Sequence, residues 1–213
     1  MTTTPPTLSR RQVALAGHRG DFDTAERGLT ALDPTVRATA IGALARMGRL
    51  RPDVLERALH DDDATVRRRA AQLAATIAEV SLAAALADAD PRVVEMASWA
   101  CGERVTVTEA ELQRLVILAT EHSDPLVREA AVAALGAIGD DRGLPAILAG
   151  VSDKAAIRRR AVIALTPFDG PEVDEAFARA RSDRDWQVRQ LADELGPQSE
   201  AAPIRPPIDG ASQ

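Results

Sequence analysis

Asp124-Pro125-Leu126-Val127-Arg128-Glu129-Ala130-Ala131-Val132-Ala133-Ala134-Leu135-Gly136 is the stretch from which the rest of the chain can be read. Its opening phrase occurs in five further copies. The earlier ones are Asp33-Pro34-Thr35-Val36-Arg37, Asp63-Ala64-Thr65-Val66-Arg67 and Asp90-Pro91-Arg92-Val93-Val94. The later ones are Lys154-Ala155-Ala156-Ile157-Arg158 and Asp185-Trp186-Gln187-Val188-Arg189. Successive valine or isoleucine anchors stand about 30 residues apart, the scale of a two-helix repeat.

Each position of the phrase has a physical task. The aspartate oxygen accepts from free amides in a helix's first turn, and its charge suits the positive helix end. Proline has the φ of a helix start, where its missing amide is not needed. Four residues after the anchor every copy has alanine: Ala40, Ala70, Ala97, Ala131, Ala161 and Ala192. A small residue on the core stripe permits close helix crossing. Larger apolar residues follow at helical spacing, such as Leu44 and Met47, Leu135 and Ile138, and Leu165 and Phe168.

Ahead of each anchor helix the sequence predicts a partner helix. These run over 21–31, 52–59, 79–86, 109–120, 144–148 and 172–180. Thr108-Glu109-Ala110-Glu111 reads as a capping box. Gly48, Gly139, Gly170 and Gly196 fall where anchor helices should end. Residues 9–16 suit an N-terminal capping helix. The fold class that follows is all-α, a solenoid of about six helical hairpins over residues 8–196. Residues 1–7 and the Pro-rich 197–213 are expected to be disordered tails.

Composition agrees with helices. Apolar residues are 46 % of the 213, while aromatics are 2 % with no tyrosine, so the core must be built of alanine, leucine and valine. Lys154 is the single lysine among 26 basic residues, a bias expected of a GC-rich, bacterial genome. The formal charge of −6 opposes binding nucleic acid through the overall field. Cys101 stands alone, which excludes an intramolecular disulfide and a cysteine-rich zinc site. No apolar run approaches membrane-spanning length, and Ser9-Arg10-Arg11 is followed too soon by His18, Arg19 and Asp21 to open an export signal. A cytoplasmic location is expected.

Residues 124–136 carry in full the signature Asp-Pro-x-Val-Arg-x-x-Ala-x-x-Ala-Leu-Gly, and residues 33–48 carry most of it. The pattern resembles the HEAT-like repeats of the phycobilisome-lyase type. That resemblance implies an α-solenoid, with the anchor helix on the concave side. It also implies adaptor or scaffold work, and a ladder of the repeated arginines Arg37, Arg67, Arg128, Arg158 and Arg189 with helix-capping aspartates of neighbouring repeats.

The third copy departs from the rest. Val94 replaces arginine, Trp99 and Cys101 replace small or aliphatic residues, Gly102 arrives early, and the spacing to the next anchor lengthens. It is either a kink between two three-repeat halves or a degenerate repeat with a longer loop. Positions two and six after the anchor lie opposite the core stripe and so face the groove. Position six reads Gly42, Gln72, Trp99, Ala133, Ile163 and Glu194. With Met96, Val132 and Val162 beside them, Trp99, Ala133 and Ile163 predict an apolar partner-binding patch bordered by Glu95, Glu129 and Arg159.

Chemistry is not indicated. His18, His60 and His122 are scattered, outside any His-Glu pair of the kind di-iron hydroxylases with HEAT-like repeats require. A Gly-rich phosphate loop and a nucleophile elbow are lacking. Asp61-Asp62-Asp63 reads as turn and cap. The expected function is a non-catalytic adaptor or scaffold that binds a protein partner, with no cofactor, metal or small-molecule substrate. Two alternatives come from resemblance. One is a nucleic-acid binder of the DNA-alkylation-repeat type, for which Arg67-Arg68-Arg69 and Arg158-Arg159-Arg160 do not form a continuous basic stripe. The other is an enzyme subunit of the bilin-lyase type, for which no tetrapyrrole pocket is specified.

Overall fold

The computed structural model describes residues 7–197. The expected tails lie outside that range apart from Thr7 and Pro197. The described residues form twelve α-helices and two short 3-10 turns, with no strand among them. Seven helices make one layer: α1 (Arg10–Arg19), α3 (Pro34–Arg46), α5 (Ala64–Ala74), α6 (Pro91–Gly102), α8 (Pro125–Ile138), α10 (Ala155–Ala164) and α12 (Trp186–Leu195). Each packs on the next. The helices α2 (Phe22–Gly28), α4 (Pro52–Leu59), α7 (Glu109–Glu121), α9 (Leu144–Gly150) and α11 (Pro171–Ala180) cover the other side.

All six anchors are buried, and so is the alanine four residues after each of them. The reason for alanine is visible at the crossings. A Cβ added to Gly28 would stand 2.9 Å from the Ala40 Cβ, and one added to Gly150 would stand 3.2 Å from the Ala161 Cβ. Outer helices therefore reach the anchor helices backbone to backbone, which only small residues permit. Glycine has the same use within the anchor layer. An added Cβ would meet the Ala43 Cβ at 2.8 Å from Gly17, the Ala134 Cα at 3.1 Å from Gly102, and the Ala164 Cβ at 2.5 Å from Gly136. Gly102, early in sequence, is the last residue of α6 and packs its backbone against α8. Anchor helices touch their neighbours along the whole layer, while the outer helices meet one another less closely.

The helix starts obey local chemistry. Asp33, Asp63, Asp90, Asp124 and Asp185 each accept the amide two residues on, at 2.8 to 3.0 Å. Ser9 with Gln12 and Thr108 with Glu111 close two capping boxes. Gly48 and Gly139 take positive φ of 64° and 68° behind α3 and α8, as helix-terminating glycines do. Gly170, also expected to end an anchor helix, instead stands at the start of α11, since α10 finishes at Ala164.

The segment expected as a helix over 79–86 is not one. It is a run of turns closing on a 3-10 turn at Ala85–Ala87, with Val80, Leu82 and Leu86 still buried. Carbonyls that a helical ladder would have satisfied are taken by Arg104. Its guanidinium donates to Ala74 O at 2.8 Å, Val80 O at 2.7 Å and Ile77 O at 3.3 Å. Glu111, whose side chain is 1 % exposed, faces Arg104 at 3.5 Å and accepts the Leu82 amide at 2.8 Å. The third hairpin is degenerate, and a single apolar core runs past it from Ile41 to Ala192.

The arginine ladder is present, with a different partner from the expected one. Arg37, Arg67 and Arg158 form two-pronged pairs with Asp61, Asp88 and Asp183, each two residues before a capping aspartate. Arg128 does the same with Asp153, the residue before Lys154. A capping aspartate has its oxygen committed to the helix amide, so the charge for the ladder comes from the preceding loop. Arg189, in the last repeat, donates to Asp183 O and Arg184 O. Between α6 and α8 the ladder is interrupted on both sides at once. Val94 replaces the arginine, and His122 occupies the place of the loop aspartate, its Nδ1 accepting the Asp124 amide at 3.1 Å.

Candidate functional site

A helix in the anchor layer has its core stripe against the outer helices and both flanks against neighbouring anchor helices. Only the strip around positions two and six remains in the open. Trp99 emerges there from α6, 44 % exposed, with α8 alongside it. Ala130, Ala133 and Ala137 on α8 are too small to fill the space beside the indole, and a groove of 540 Å³ results. Met96 and Leu126 continue its apolar wall, and Gln72 on α5 closes one end. Glu95, Glu103 and Glu129 stand on its rim, with Arg160 of α10 3.7 Å from Glu129. An amphipathic indole in a groove with an acidic border is suited to receiving an apolar side chain of a partner.

Of the nine residues expected in the patch, Glu95, Met96, Trp99, Glu129 and Ala133 come together in this groove. Val132 and Val162 do not belong to it: both are wholly buried. They lie five residues after their anchors, on a flank covered by the next hairpin. An added Cβ on Gly150 would come within 3.4 Å of Val132 Cγ2. Arg159 turns toward the last repeat, donating to Gln187 and standing 4.0 Å from Asp185, so Arg160 takes the basic place on the rim. Ile163 is exposed but lies outside the groove.

Leu126 was not anticipated as a lining residue. It belongs to the anchor phrase itself, in the variable place between proline and valine, and its aliphatic side chain was the available signal. Trp186, 61 % exposed, sits in the first turn of α12 and contributes nothing here. Cys101 is buried on the core side of α6. Burial, with the Glu111 charge, raises its thiol to about 12. Such a thiol is inert. Gln72 also lines a second groove of 490 Å³ between α1, α3 and α5, so the two adjoin at α5 on one face. Among the described residues no helix is long and apolar enough to cross a membrane.

No curated protein matches the chain. Among solved structures, an engineered protein is similar over 82 % of this chain and 94 % of its own, with 19 % identity and a TM-score of 0.57. A designed armadillo repeat protein in complex with the peptide (KR)4 is similar over 81 % of this chain and 96 % of its own, with 18 % identity and a TM-score of 0.58. YibA of Escherichia coli is similar over 89 % of this chain and 75 % of its own, with 16 % identity and a TM-score of 0.60. At such identities the likeness is one of fold. The HEAT repeats family matches in three overlapping stretches, residues 52–134, 78–166 and 112–196, without distinguishing the phycobilisome-lyase type. With its hairpins stacked on buried valine and alanine and the greater part of its length matched, the chain belongs to the HEAT repeats family.

Proposed function

We propose that the chain is a non-catalytic scaffold that binds a partner protein along the open face of its anchor layer, with Trp99 as the main contact. The observation that carries this reading is the half-exposed indole in a groove walled by Met96, Leu126 and alanines. A repeat solenoid is a constant frame on which a few variable surface positions select a ligand. Trp99 occupies such a position, where the other repeats carry glycine, glutamine, alanine, isoleucine or glutamate. The designed armadillo repeat protein of similar fold holds a peptide, (KR)4. That supports the use of such a frame for peptide segments, without naming a partner for this chain.

Affinity purification of the tagged chain from its native cells, read by mass spectrometry, tests the reading. Trp99→Ala should abolish recovery of the partner while leaving the helical circular dichroism and melting curve in place, since the ring lies outside the packed core. Truncating a central interface tryptophan costs about 2 kcal/mol or more, roughly thirtyfold in affinity. Equal recovery by wild type and Trp99→Ala would end the proposal.

A further inference from the structure

The groove between α1, α3 and α5 is chemically unlike its neighbour. Arg10, His18, Arg46, Arg68 and Arg69 line it, and no carboxylate does. None of these four arginines takes part in an ion pair among the described residues, whereas the ladder arginines and those on the outer surface largely do. In a chain with 32 acidic and 26 basic residues, such a concentration of unneutralised cations runs against the composition. Arg46 donates to His18 Nε2 at 3.3 Å, so the imidazole acts there as an acceptor. Arg69 is partly buried, held to Gln72 Oε1 at 2.5 Å and lying against Gly42, where an added Cβ would be 2.7 Å from its Nη2. Burial, followed by the positive charge of Arg46, lowers the Arg69 pKa. A partly desolvated guanidinium with another cation beside it is electrostatically unfavourable, and an incoming anion relieves it.

We propose that this basic groove receives the acidic stretch of an extended partner peptide whose apolar side chain occupies the Trp99 groove. The inference rests on the scaffold reading above. Adjacent packed helices stand about 8–10 Å apart. The two grooves, centred on α3 and on the α6–α8 pair, are thus separated by about 20 Å. An extended chain crosses that distance in about six residues. The partner segment therefore has a cluster of aspartate, glutamate or phosphorylated residues about six positions from a large apolar residue. A nucleic acid is disfavoured on the same face. Its uniform charge would carry phosphates onto Glu95, Glu103 and Glu129, while a peptide changes its charge along its length.

Fluorescence anisotropy with three fluorescein-labelled probes provides the test. The probes are hexaglutamate, hexaglutamate joined through four Gly/Ser residues to Leu-Leu, and a hexathymidylate oligonucleotide. Each is titrated with the full chain, with Arg46→Glu/Arg68→Glu, and with Trp99→Ala. Arg46 and Arg68 are exposed, and circular dichroism checks that the double variant is folded. Hexaglutamate should bind the wild type at low salt, lose at least about tenfold with the double variant and be indifferent to Trp99→Ala. The composite probe should bind more tightly than hexaglutamate and respond to both variants. Hexaglutamate that fails to bind, or that binds the double variant equally well, overturns the proposal. So does tighter binding of hexathymidylate. If hexaglutamate responds to the reversal while the composite probe gains nothing from its leucines, the Trp99 reading fails and the basic site stands by itself.

Discussion

Asp183→Ala is the substitution that best tests whether the ladder joins the repeats. The Asp183 carboxylate accepts the Arg158 Nε and Nη2 donors at 2.7 Å each and the Asp185 amide at 2.7 Å. The Arg158 side chain is 6 % exposed and that of Asp183 13 %, so water replaces little of what is lost. Removing one partner of a fully buried pair costs about 3–5 kcal/mol, and a hydrogen bond to a charged group contributes about 1.5–3. A loss of about 3 kcal/mol is expected here. Asp33→Ala is the control, because Asp33 caps α3 without joining the ladder, and its loss should cost about 1 kcal/mol. The difference of about 2 kcal/mol is roughly thirtyfold in the folding equilibrium. The break lies between α10 and the final hairpin, and repeats depend on their nearest neighbours, so α11 and α12 should open first. Urea unfolding followed by Trp186 fluorescence, with Trp99→Phe to remove the other signal, reads that end of the stack. A midpoint shift for Asp183→Ala no larger than that for Asp33→Ala would refute the reasoning.

Glu111→Ala should be more damaging than any exposed glutamate variant, by about 3–5 kcal/mol in denaturant titrations, because it leaves the buried Arg104 charge unpaired and the Leu82 amide without its acceptor. Gly136→Ala should destabilise by about 1–3 kcal/mol, since the new methyl would lie 2.6 Å from the Ala164 backbone; Gly42→Ala, which meets only the far end of the Arg69 side chain and no backbone, is the cheaper comparison in the same melting assay. In acid, the ladder carboxylates Asp61, Asp88, Asp153 and Asp183 are held below their usual range chiefly by hydrogen bonds from their arginines. Their contribution is complete above the unfolded value of about 3.9 and is lost as pH falls through the lower folded values, so melting temperature should hold down to about pH 4 and then drop.

The hairpin stack was legible because each anchor repeats a short phrase whose burial depends on its own helix. Val127 and Ala131 face the core wherever a helix of that sequence meets any partner. Val132 shows where this fails. Its periodicity places it beside the open strip, but its burial is decided by the neighbouring hairpin, which one helical projection does not contain. The ladder was misassigned for a related reason. In Asp61-Asp62-Asp63 the capping residue and the ladder residue have the same side chain, and only the position of Arg37 separates them. Arg104 lay in an unremarkable loop, and its role arises from the carbonyls of a segment that does not become a helix. The Trp99 groove was partly legible because a tryptophan stood where other repeats have smaller or polar side chains, while its α8 wall required knowing which alanines stand opposite.

The gap in the ladder between α6 and α8 gives the stack two kinds of joint. Four are fastened by an arginine–aspartate pair; between α6 and α8 that pair is missing, Gly102 packs against Ala134, and the charges nearest the junction are the buried Arg104 and Glu111. The ladder pairs are largely shielded from water, so chloride screens them little, whereas a kosmotropic anion such as sulfate strengthens apolar burial at every junction. The tryptophan groove straddles the junction without a ladder pair, so a ligand seated there bridges the two hairpins that no arginine and aspartate join.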